Sequence, residues 1–351
     1  MTALLECRHV TKTFGGGLFR KHRTVALEDF SLAISSDPPS ITAIVGESGS
    51  GKTTFARLLL GLVTPTSGVV HYKGKDLLQL SGADRRAMLR DIQVIFQDPY
   101  EVYNPFYKVD HVLETPITEF KLAKSKQAAR SLIEDAMRAV GLRPEETLGR
   151  YPHQLSGGQR QRIMIARALL IKPSIIVADE PVSMVDASLR ATILDSLRTL
   201  NREFGISLVY ITHDLTTAYQ ISDNIIVLYK GGVAEAGDVE QVVKNPKHPY
   251  TQLLVGSVPQ PDPSIHWGEE YGDRTGKAEP GQNGTVHAGE NRCKFADRCP
   301  HVMQMCWQSA PPPYRTDTYR AAACFLYRDQ GEALKTEQLD QVMIPPQAVP
   351  A

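Results

Sequence analysis

A glycine-rich run near the N-terminus has the spacing of a phosphate-binding loop. Residues 46–53 read GESGSGKT, which fits G-x-x-x-x-G-K-[ST], and an apolar run at 41–45 leads into it. Such a loop curls so that its backbone N–H groups point at phosphate oxygens, and the following helix adds favourable dipole charge. We expect Lys52 to contact the β- and γ-phosphates and the Thr53 hydroxyl to bind Mg²⁺. The predicted nucleotide-binding residues are Gly46, Ser48, Gly49, Ser50, Gly51, Lys52, Thr53 and Thr54.

Two carboxylates follow a second apolar run, at 175–178. Because ligands gather at the carboxyl ends of parallel strands, we expect Asp179 and Glu180 beside the phosphate loop. Asp179 can hold Mg²⁺, directly or through water, and Glu180 can orient and polarise an attacking water. His213 and Gln97 also follow apolar runs, which predicts a hydrolytic centre built from four strand ends. The predicted catalytic residues are Lys52, Gln97, Glu180 and His213, and the predicted Mg²⁺ ligands are Thr53, Gln97 and Asp179.

The pentapeptide LSGGQ at 155–159 narrows the class of protein. By chance it should appear in well under ~1% of chains of this length. Ser156 and the backbone of Gly157 and Gly158 open a predicted helix at 158–170, which makes a second N-terminus able to bind an anion. The candidate nucleotide-binding residues here are Ser156, Gly157, Gly158 and Gln159.

The elements that must position these residues alternate between strands and helices. Continuous apolar runs predict buried strands at 41–45, 94–96, 175–178, 208–211 and 225–229, with helical stretches at 53–62, 158–170 and 188–204. This alternation indicates an α/β fold with a mostly parallel sheet. Stretches typical of strands at 4–10 and 25–34 predict an antiparallel β subdomain. Prolines at 99, 105, 116 and 144 interrupt the alternation, and a helical pattern occupies residues around 126–140. Together they predict a helical insertion at about 99–156.

The order of these motifs resembles that of the ABC-transporter ATPases over about residues 4–255. The family motifs fall at 46–53 (phosphate loop), Gln97 (Q-loop), 155–159 (signature), 175–179 with Glu180 (Walker B), 183–186 (D-loop) and His213 (switch histidine). The resemblance implies a P-loop NTPase core that hydrolyses ATP. It also implies that two such domains bind head to tail, each ATP lying between one phosphate loop and the other signature. Phe14 most resembles the aromatic residue that stacks on adenine, with Phe19 as a rival and a core phenylalanine as the alternative.

Composition excludes several other classes of protein. Lysine plus arginine and aspartate plus glutamate number 39 each, so no global field steers the chain toward nucleic acid. No apolar run approaches the ~18 residues of a membrane span, and the N-terminus lacks a signal-peptide core. We therefore expect a peripheral protein at the cytoplasmic face of the cell (inner) membrane, bound there through a partner.

Two features beyond the core indicate a branch of the family. The segment NPKHPYTQLL at 245–254 and the cysteine-bearing sequence from 293 resemble the dipeptide/oligopeptide (and nickel) import ATPases. The resemblance implies a motor subunit that powers uptake of di- or oligopeptides. Its implied partners are a second ATPase subunit (a paralogue or itself), two transmembrane permease subunits and an extracytoplasmic solute-binding protein. The alternatives are an importer of nickel or oligosaccharide, an exporter ATPase, and a soluble ABC ATPase of translation or DNA repair.

Four of the five cysteines lie near the end of the chain, at Cys293, Cys299, Cys306 and Cys324. In a chain without a secretion signal, such a group favours a metal site over disulfides. Its spacing is wider than that of common zinc sites and fits neither ferredoxin pattern. The family resemblance implies that these cysteines hold a [4Fe–4S] cluster in some members. Zinc and unoccupied reduced thiols remain the alternatives.

The chain is predicted to divide into four parts. An ABC ATPase domain at 1–258 includes the helical subdomain, and a linker rich in proline, glycine and polar residues follows at 259–292. A small cysteine module is expected at 293–328, and a flexible polar tail at 329–351.

Overall fold

Residues 3–15, 23–98, 102–258 and 291–345 are described by a computed structural model. The strands are β1 (Leu5–Gly15), β2 (Arg23–Ile34), β3 (Ile41–Val45), β4 (Ser67–Tyr72), β5 (Lys75–Asp76), β6 (Ile92–Ile95), β7 (Ile175–Asp179), β8 (Ser207–Thr212), β9 (Asn224–Tyr229), β10 (Gly232–Asp238), β11 (Tyr314–Asp317) and β12 (Arg320–Ala322). The helices are α1 (Lys52–Leu59), α2 (Gly82–Asp91), α3 (Asp110–Phe120), α4 (Lys126–Ala139), α5 (Pro144–Thr147), α6 (Gly157–Leu170), α7 (Ala187–Arg202), α8 (Leu215–Ile221), α9 (Val239–Lys244), α10 (Pro249–Gly256) and α11 (Gln304–Gln308).

The larger sheet has eight strands in the order β11-β12-β10-β9-β3-β8-β7-β6. Its strands from β9 to β6 pair in parallel, whereas β10 runs antiparallel to β9. All residues of β7, β8 and β9 are buried, since hydrophobic clusters cover both faces of the sheet. Burial on both faces explains the continuous apolar runs in the sequence. The predicted α/β fold with a mostly parallel sheet is confirmed.

A second sheet of four strands, in the order β2-β1-β4-β5, is antiparallel. It packs on the first helix, where the rings of Phe30 and Phe55 lie 4.7 Å apart between centroids. Both rings are fully buried. This is the predicted antiparallel β subdomain, and it brings the end of β1 close to the start of α1.

The predicted helical insertion lies between β6 and α6. It contains α3, α4 and α5, and the first two pack against α6. Leu113, Met137 and Ile163 are fully buried at this contact and belong to the same cluster as one face of the main sheet. Ser125 caps α4, because its hydroxyl accepts a hydrogen bond from the Ala128 N–H at 3.2 Å.

The cysteine-bearing segment extends the main sheet. Its strand β12 pairs with β10, placing Ala322 opposite Glu235, and β11 pairs with β12. The sequence does not predict these two strands, which are only three and four residues long. Residues 259–290 of the predicted linker (259–292) lie outside the described residues, so the linker stays a prediction.

The tail differs from its prediction, because residues 334–344 pack against the rest of the protein. Leu334, Leu339 and Val342 are each no more than 3% exposed and join the cluster formed by β1, β2 and α1. The Asn224 side chain also binds the backbone of Ile344, at 3.1 Å to its carbonyl and 2.8 Å to its N–H. The flexible-tail prediction is wrong over this range, since three buried apolar side chains and the hydrogen bonds of Asn224 hold the tail against the core. Residues 346–351 lie outside the described part.

In the part of the chain that the structure describes, no helix has both the length and the apolar character needed to cross a membrane.

Leu339→Ala tests the packing of the tail. Leu339 is 1% exposed, so removing its side chain should lower the free energy of unfolding by about 2–5 kcal/mol. Urea denaturation followed by circular dichroism measures this change. Asp340→Ala, at the exposed neighbour, is the matched control and should change stability little. Equal stability of the Leu339→Ala protein and the unmodified protein would contradict the described packing.

Candidate active site

The phosphate loop connects β3 to α1 and has no room for side chains at two of its glycines. A Cβ atom at Gly46 would lie 2.2 Å from the Leu228 carbonyl oxygen. One at Gly51 would lie 2.1 Å from the Ala26 carbonyl oxygen, and Gly51 also has φ of +107°. Only glycine fits both positions. The loop is therefore pressed against the backbone of β2 and β9.

Lys52 is the first residue of α1 and is 5% exposed. Its Nζ donates to the Gly46 carbonyl at 2.7 Å and to the Glu47 carbonyl at 3.0 Å. Burial lowers the pKa of this ammonium group, and the carboxylates of Glu180 and Asp179 oppose that shift. A lysine ammonium has three donors, so two hold the loop closed and one is left for an anion.

Asp179 ends β7 and is buried. Burial raises the pKa of Asp179, Glu180 raises it further, and Lys52 opposes the shift. The Thr53 side chain lies beside the Asp179 carboxylate and favours the ionised form, which also lowers the pKa. The Oδ1 atom of Asp179 is buried and has no hydrogen-bond partner among the described residues. A buried carboxylate oxygen without a donor, next to a threonine hydroxyl, fits the all-oxygen coordination that Mg²⁺ prefers.

Glu180 is held between two polar side chains from neighbouring strand ends. Its Oε2 accepts from Gln97 Nε2 at 3.0 Å, and its Oε1 accepts from His213 Nδ1 at 3.0 Å. The Glu180 backbone has φ of +47°, and its N–H donates to the Ile211 carbonyl at 2.8 Å. A left-handed conformation is costly for glutamate, so the surrounding hydrogen bonds must hold it. The structure thus joins by hydrogen bonds three of the four residues that the sequence assigns to catalysis, and the fourth, Lys52, lines the same cleft.

Most of these residues line one cleft of about 700 Å³, whereas Gly46, Ser50 and Asp179 are not part of its lining. Its lining residues that the sequence analysis assigned to the site are Phe14, Ser48, Gly49, Gly51, Lys52, Thr53, Thr54, Gln97, Glu180 and His213. Its other lining residues are Thr24, Val25, Ala26, Glu47 and Leu254, which sequence reasoning missed. They come from β2, the phosphate loop and α10, and apart from Glu47 no motif in the sequence marks them. Phe14 is 45% exposed at the end of β1, whereas its rival Phe19 lies outside the described residues.

The signature residues lie elsewhere, at the first turn of α6. Ser156 caps this helix, since its Oγ accepts from the Gln159 N–H at 3.2 Å while Gln159 Oε1 accepts from the Ser156 N–H at 2.9 Å. A Cβ atom at Gly158 would lie 2.8 Å from Leu189 Cδ1, so glycine permits close packing on α7. Within the described residues, the lining of the cleft includes none of the signature residues Ser156, Gly157, Gly158 and Gln159. One chain therefore carries a phosphate loop and a signature that do not meet.

None of the four C-terminal cysteines forms a disulfide within the described residues. Burial, together with the nearby thiols, raises the pKa of Cys299 to about 11 and that of Cys324 to about 12. The Cys293 N–H donates to the Cys306 carbonyl at 2.9 Å. Even so, no three cysteine, histidine, aspartate or glutamate side chains in the described ranges converge as a metal site. The arrangement thus does not support the predicted [4Fe–4S] cluster.

Two family models match the chain. The ABC transporter model matches residues 27–183, which include the phosphate loop, the signature and the acidic strand end. The model of the oligopeptide/dipeptide transporter C-terminal region matches residues 234–306.

Curated relatives and solved structures agree with these matches. The oligopeptide transport ATP-binding protein OppF of Salmonella typhimurium is 41% identical over 76% of this chain and 78% of its own length. The di/tripeptide transport ATP-binding protein DppF of Pseudomonas aeruginosa is 36% identical over 92% of this chain and 98% of its own length. A dimeric ATP-binding cassette in a post-hydrolysis state, bound to ADP and Pi, is 31% identical with a TM-score of 0.59, covering 67% of this chain and 98% of the cassette. The chain therefore belongs to the ATP-hydrolysing subunits of ABC transporters, in the branch that carries the oligopeptide/dipeptide transporter C-terminal region.

Proposed function

We propose that this chain is the motor subunit of an importer that takes up di- or oligopeptides. The observation that carries the proposal is the Glu180 carboxylate, held between Gln97 and His213 in the cleft of the phosphate loop. The names of the relatives, which refer to oligopeptide and di/tripeptide transport, support the class of solute. Nickel or oligosaccharide import, an exporter ATPase and a soluble ABC ATPase are the alternatives, and the described residues contain no feature that favours them.

Binding of ATP is assigned to the loop backbone and to Lys52. The loop presents N–H groups at the N-terminus of α1, where the helix dipole favours an anion. The third donor of the Lys52 ammonium binds a phosphate oxygen, while its other two keep the loop curled. Phe14 offers an exposed ring at the mouth of the cleft for the adenine base.

Thr53 and Asp179 are the proposed ligands of Mg²⁺, and Gln97 is the third candidate. When bound there, Mg²⁺ neutralises charge on the β- and γ-phosphates. The Thr53 hydroxyl and the unpaired Oδ1 of Asp179 supply oxygen atoms for this purpose. Burial of Asp179 disfavours its charged form, so a bound cation favours the ionised carboxylate.

Glu180 is the proposed residue that orients the attacking water. A carboxylate oxygen accepts a hydrogen bond from the water and turns the water's lone pair toward the γ-phosphorus. Attack breaks the bond between the γ-phosphorus and the bridging oxygen, which releases ADP and inorganic phosphate. Gln97 and His213 act as hydrogen-bond donors that fix the position of the carboxylate.

A second ATPase subunit, either a paralogue or another copy, is the proposed source of the missing signature. The Ser156 end of α6 is exposed and does not line the cleft of its own chain. A helix N-terminus of this kind suits a phosphate of nucleotide bound to the partner. Each complete site would then consist of one phosphate loop and the signature of the other subunit.

An apolar groove beside the helical insertion is the proposed contact for the permease. It holds about 420 Å³ and is lined by Val102, Tyr103, Tyr107 and other residues of the insertion and its borders. Phe106, next in sequence, is 86% exposed. The proposed partners are two transmembrane permease subunits, with an extracytoplasmic solute-binding protein in the same system. The chain would then lie peripherally at the cytoplasmic face of the cell membrane.

The [4Fe–4S] cluster stays a prediction without a role in the proposed reaction. It is supported only by the family resemblance, since the described thiols do not converge as a metal site.

Glu180→Gln tests the hydrolytic centre. The amide removes the water-orienting carboxylate but keeps the size of the side chain, so MgATP binding should persist. ATP turnover of the assembled transporter should fall at least ~10²-fold. Phosphate release and calorimetric binding measure the two effects. Glu203→Gln, at an exposed position after α7, is the control and should hydrolyse normally. Normal turnover by Glu180→Gln would contradict the assigned role.

Ser156→Arg tests whether the signature acts on the partner's nucleotide. The isolated chain should still bind MgADP with unchanged affinity, because Ser156 does not line its own cleft. ATP hydrolysis by the assembled transporter should be lost. Lys52→Ala is the comparison and should abolish MgADP binding by the isolated chain. Equal loss of binding in both variants would mean that the signature acts within one chain.

Anaerobic purification tests the cysteine prediction. A chain that holds a [4Fe–4S] cluster should be brown, with broad absorbance in the blue, and should contain iron and acid-labile sulfide. Cys324→Ser should lose the colour. A colourless preparation that contains zinc or no metal would rule out the cluster.

A further inference from the structure

The segment just after the linker contacts the phosphate loop directly. The two Nη atoms of Arg298 donate to the two carboxylate oxygens of Glu47, at 3.1 and 3.2 Å. Glu47 is the second residue of the phosphate loop and lines the cleft, whereas Arg298 does not. The guanidinium also lies 5.9 Å from the ring centroid of Tyr229 and 5.6 Å from that of Phe295. Two parallel hydrogen bonds and two ring contacts together fix the orientation of the Arg298 guanidinium relative to Glu47.

A second contact runs through the turn between β9 and β10. Lys294 Nζ donates to the Lys230 carbonyl at 2.8 Å and forms an ion pair with Glu28 at 2.5 Å. The next residue of the turn, Gly231, donates its N–H to the Ser50 carbonyl at 2.9 Å. Lys294 thus holds a turn that itself holds the phosphate loop.

The position of Glu47 matters because its backbone helps to place Lys52. The Glu47 N–H donates to the Tyr250 hydroxyl at 2.9 Å, and the Glu47 carbonyl accepts from Lys52 Nζ at 3.0 Å. Phe295 is 3% exposed and packs on the Tyr250 ring, with centroids 5.6 Å apart. The same short segment therefore contacts both the side chain of Glu47 and the tyrosine that binds its backbone.

We propose that residues 293–298 act as a brace on the phosphate loop, with Arg298 as a positioning residue that sets nucleotide affinity. This inference rests on the proposed nucleotide-binding role of the loop. A loop held in its binding conformation loses less conformational freedom when the ligand arrives. The C-terminal segment thereby controls the affinity of a site whose cleft it does not line. Its displacement would weaken binding of nucleotide without removing any phosphate ligand.

The test measures binding of MgADP, which is not turned over, to the full chain by titration calorimetry. Arg298→Gln should raise the Kd about three- to fivefold, as expected for loss of one well-oriented ion pair. In the assembled transporter, the KM for ATP should rise by a similar factor while kcat is unchanged, because the brace acts equally on the ground and transition states. In a Glu47→Ala background, which removes the acceptor, Arg298→Gln should raise the Kd by a clearly smaller factor.

Arg292→Gln is the matched control. Arg292 directly precedes the brace and forms a bidentate pair with Asp297 at 3.0 Å, and its guanidinium lies 5.1 Å from the Trp307 ring centroid. Since none of these contacts involves the phosphate loop, the Kd should not change. Arg298→Lys keeps the positive charge but loses the bidentate geometry of the guanidinium, so it should give an intermediate Kd. This variant replaces Arg298→Gln in the test if Arg298→Gln does not fold.

The possible results separate the inference from the proposed function. An unmodified chain that binds no MgADP would contradict the nucleotide role of the loop. If the unmodified chain binds and Arg298→Gln binds equally well, the brace alone is overturned. An equal loss of affinity in Arg292→Gln would also overturn it, because the effect would then come from general damage to the segment.

Discussion

Parallel pairing of the central strands is the constraint on which the site depends. Val45 pairs with Thr212, and Asp179 pairs with Ile211, so the chain leaves these strands at one edge of the sheet. The phosphate loop, Glu180 and His213 follow directly, and each owes its place to this register. A slip of one residue would turn alternate side chains to the opposite face. Hydrophobic clusters cover both faces of the sheet, so such a slip would require the core to repack on both sides.

Two charged side chains at this edge of the sheet, Lys52 and Asp179, are buried. Lys52 and Asp179 are both largely removed from water, which disfavours the ionised form of each, while each favours the ionised form of the other. The buried Oδ1 of Asp179 has no donor among the described residues. The protein therefore keeps an incompletely satisfied polar group where substrate is expected. Such a group costs stability in the empty site, and a ligand that satisfies it removes that cost.

The strands and the catalytic residues could be predicted because local patterns encode them. A strand buried on both faces is a continuous apolar run, and the phosphate loop needs a fixed spacing of glycines. The tail could not be predicted, since Leu334, Leu339 and Val342 are too sparse to form a period. The pairing of Arg298 with Glu47 could not be predicted either, because the two residues lie 251 positions apart in the sequence. Neither belongs to a local pattern, and only the packed tertiary structure brings them together.

The pairing of β12 with β10 in the main sheet has a consequence for synthesis and folding. Until β12 pairs with it, β10 presents an open row of backbone donors and acceptors that another chain can bind. The residues that cover this edge, and the tail that reaches His9 through Glu337, follow almost all the rest in the order of translation. In a nascent chain, the edge of β10 therefore stays unpaired while the segments that form most of the core have already been synthesised. Ribosome stalling or premature termination before residue 320 would expose that edge to aggregation and to quality-control proteases.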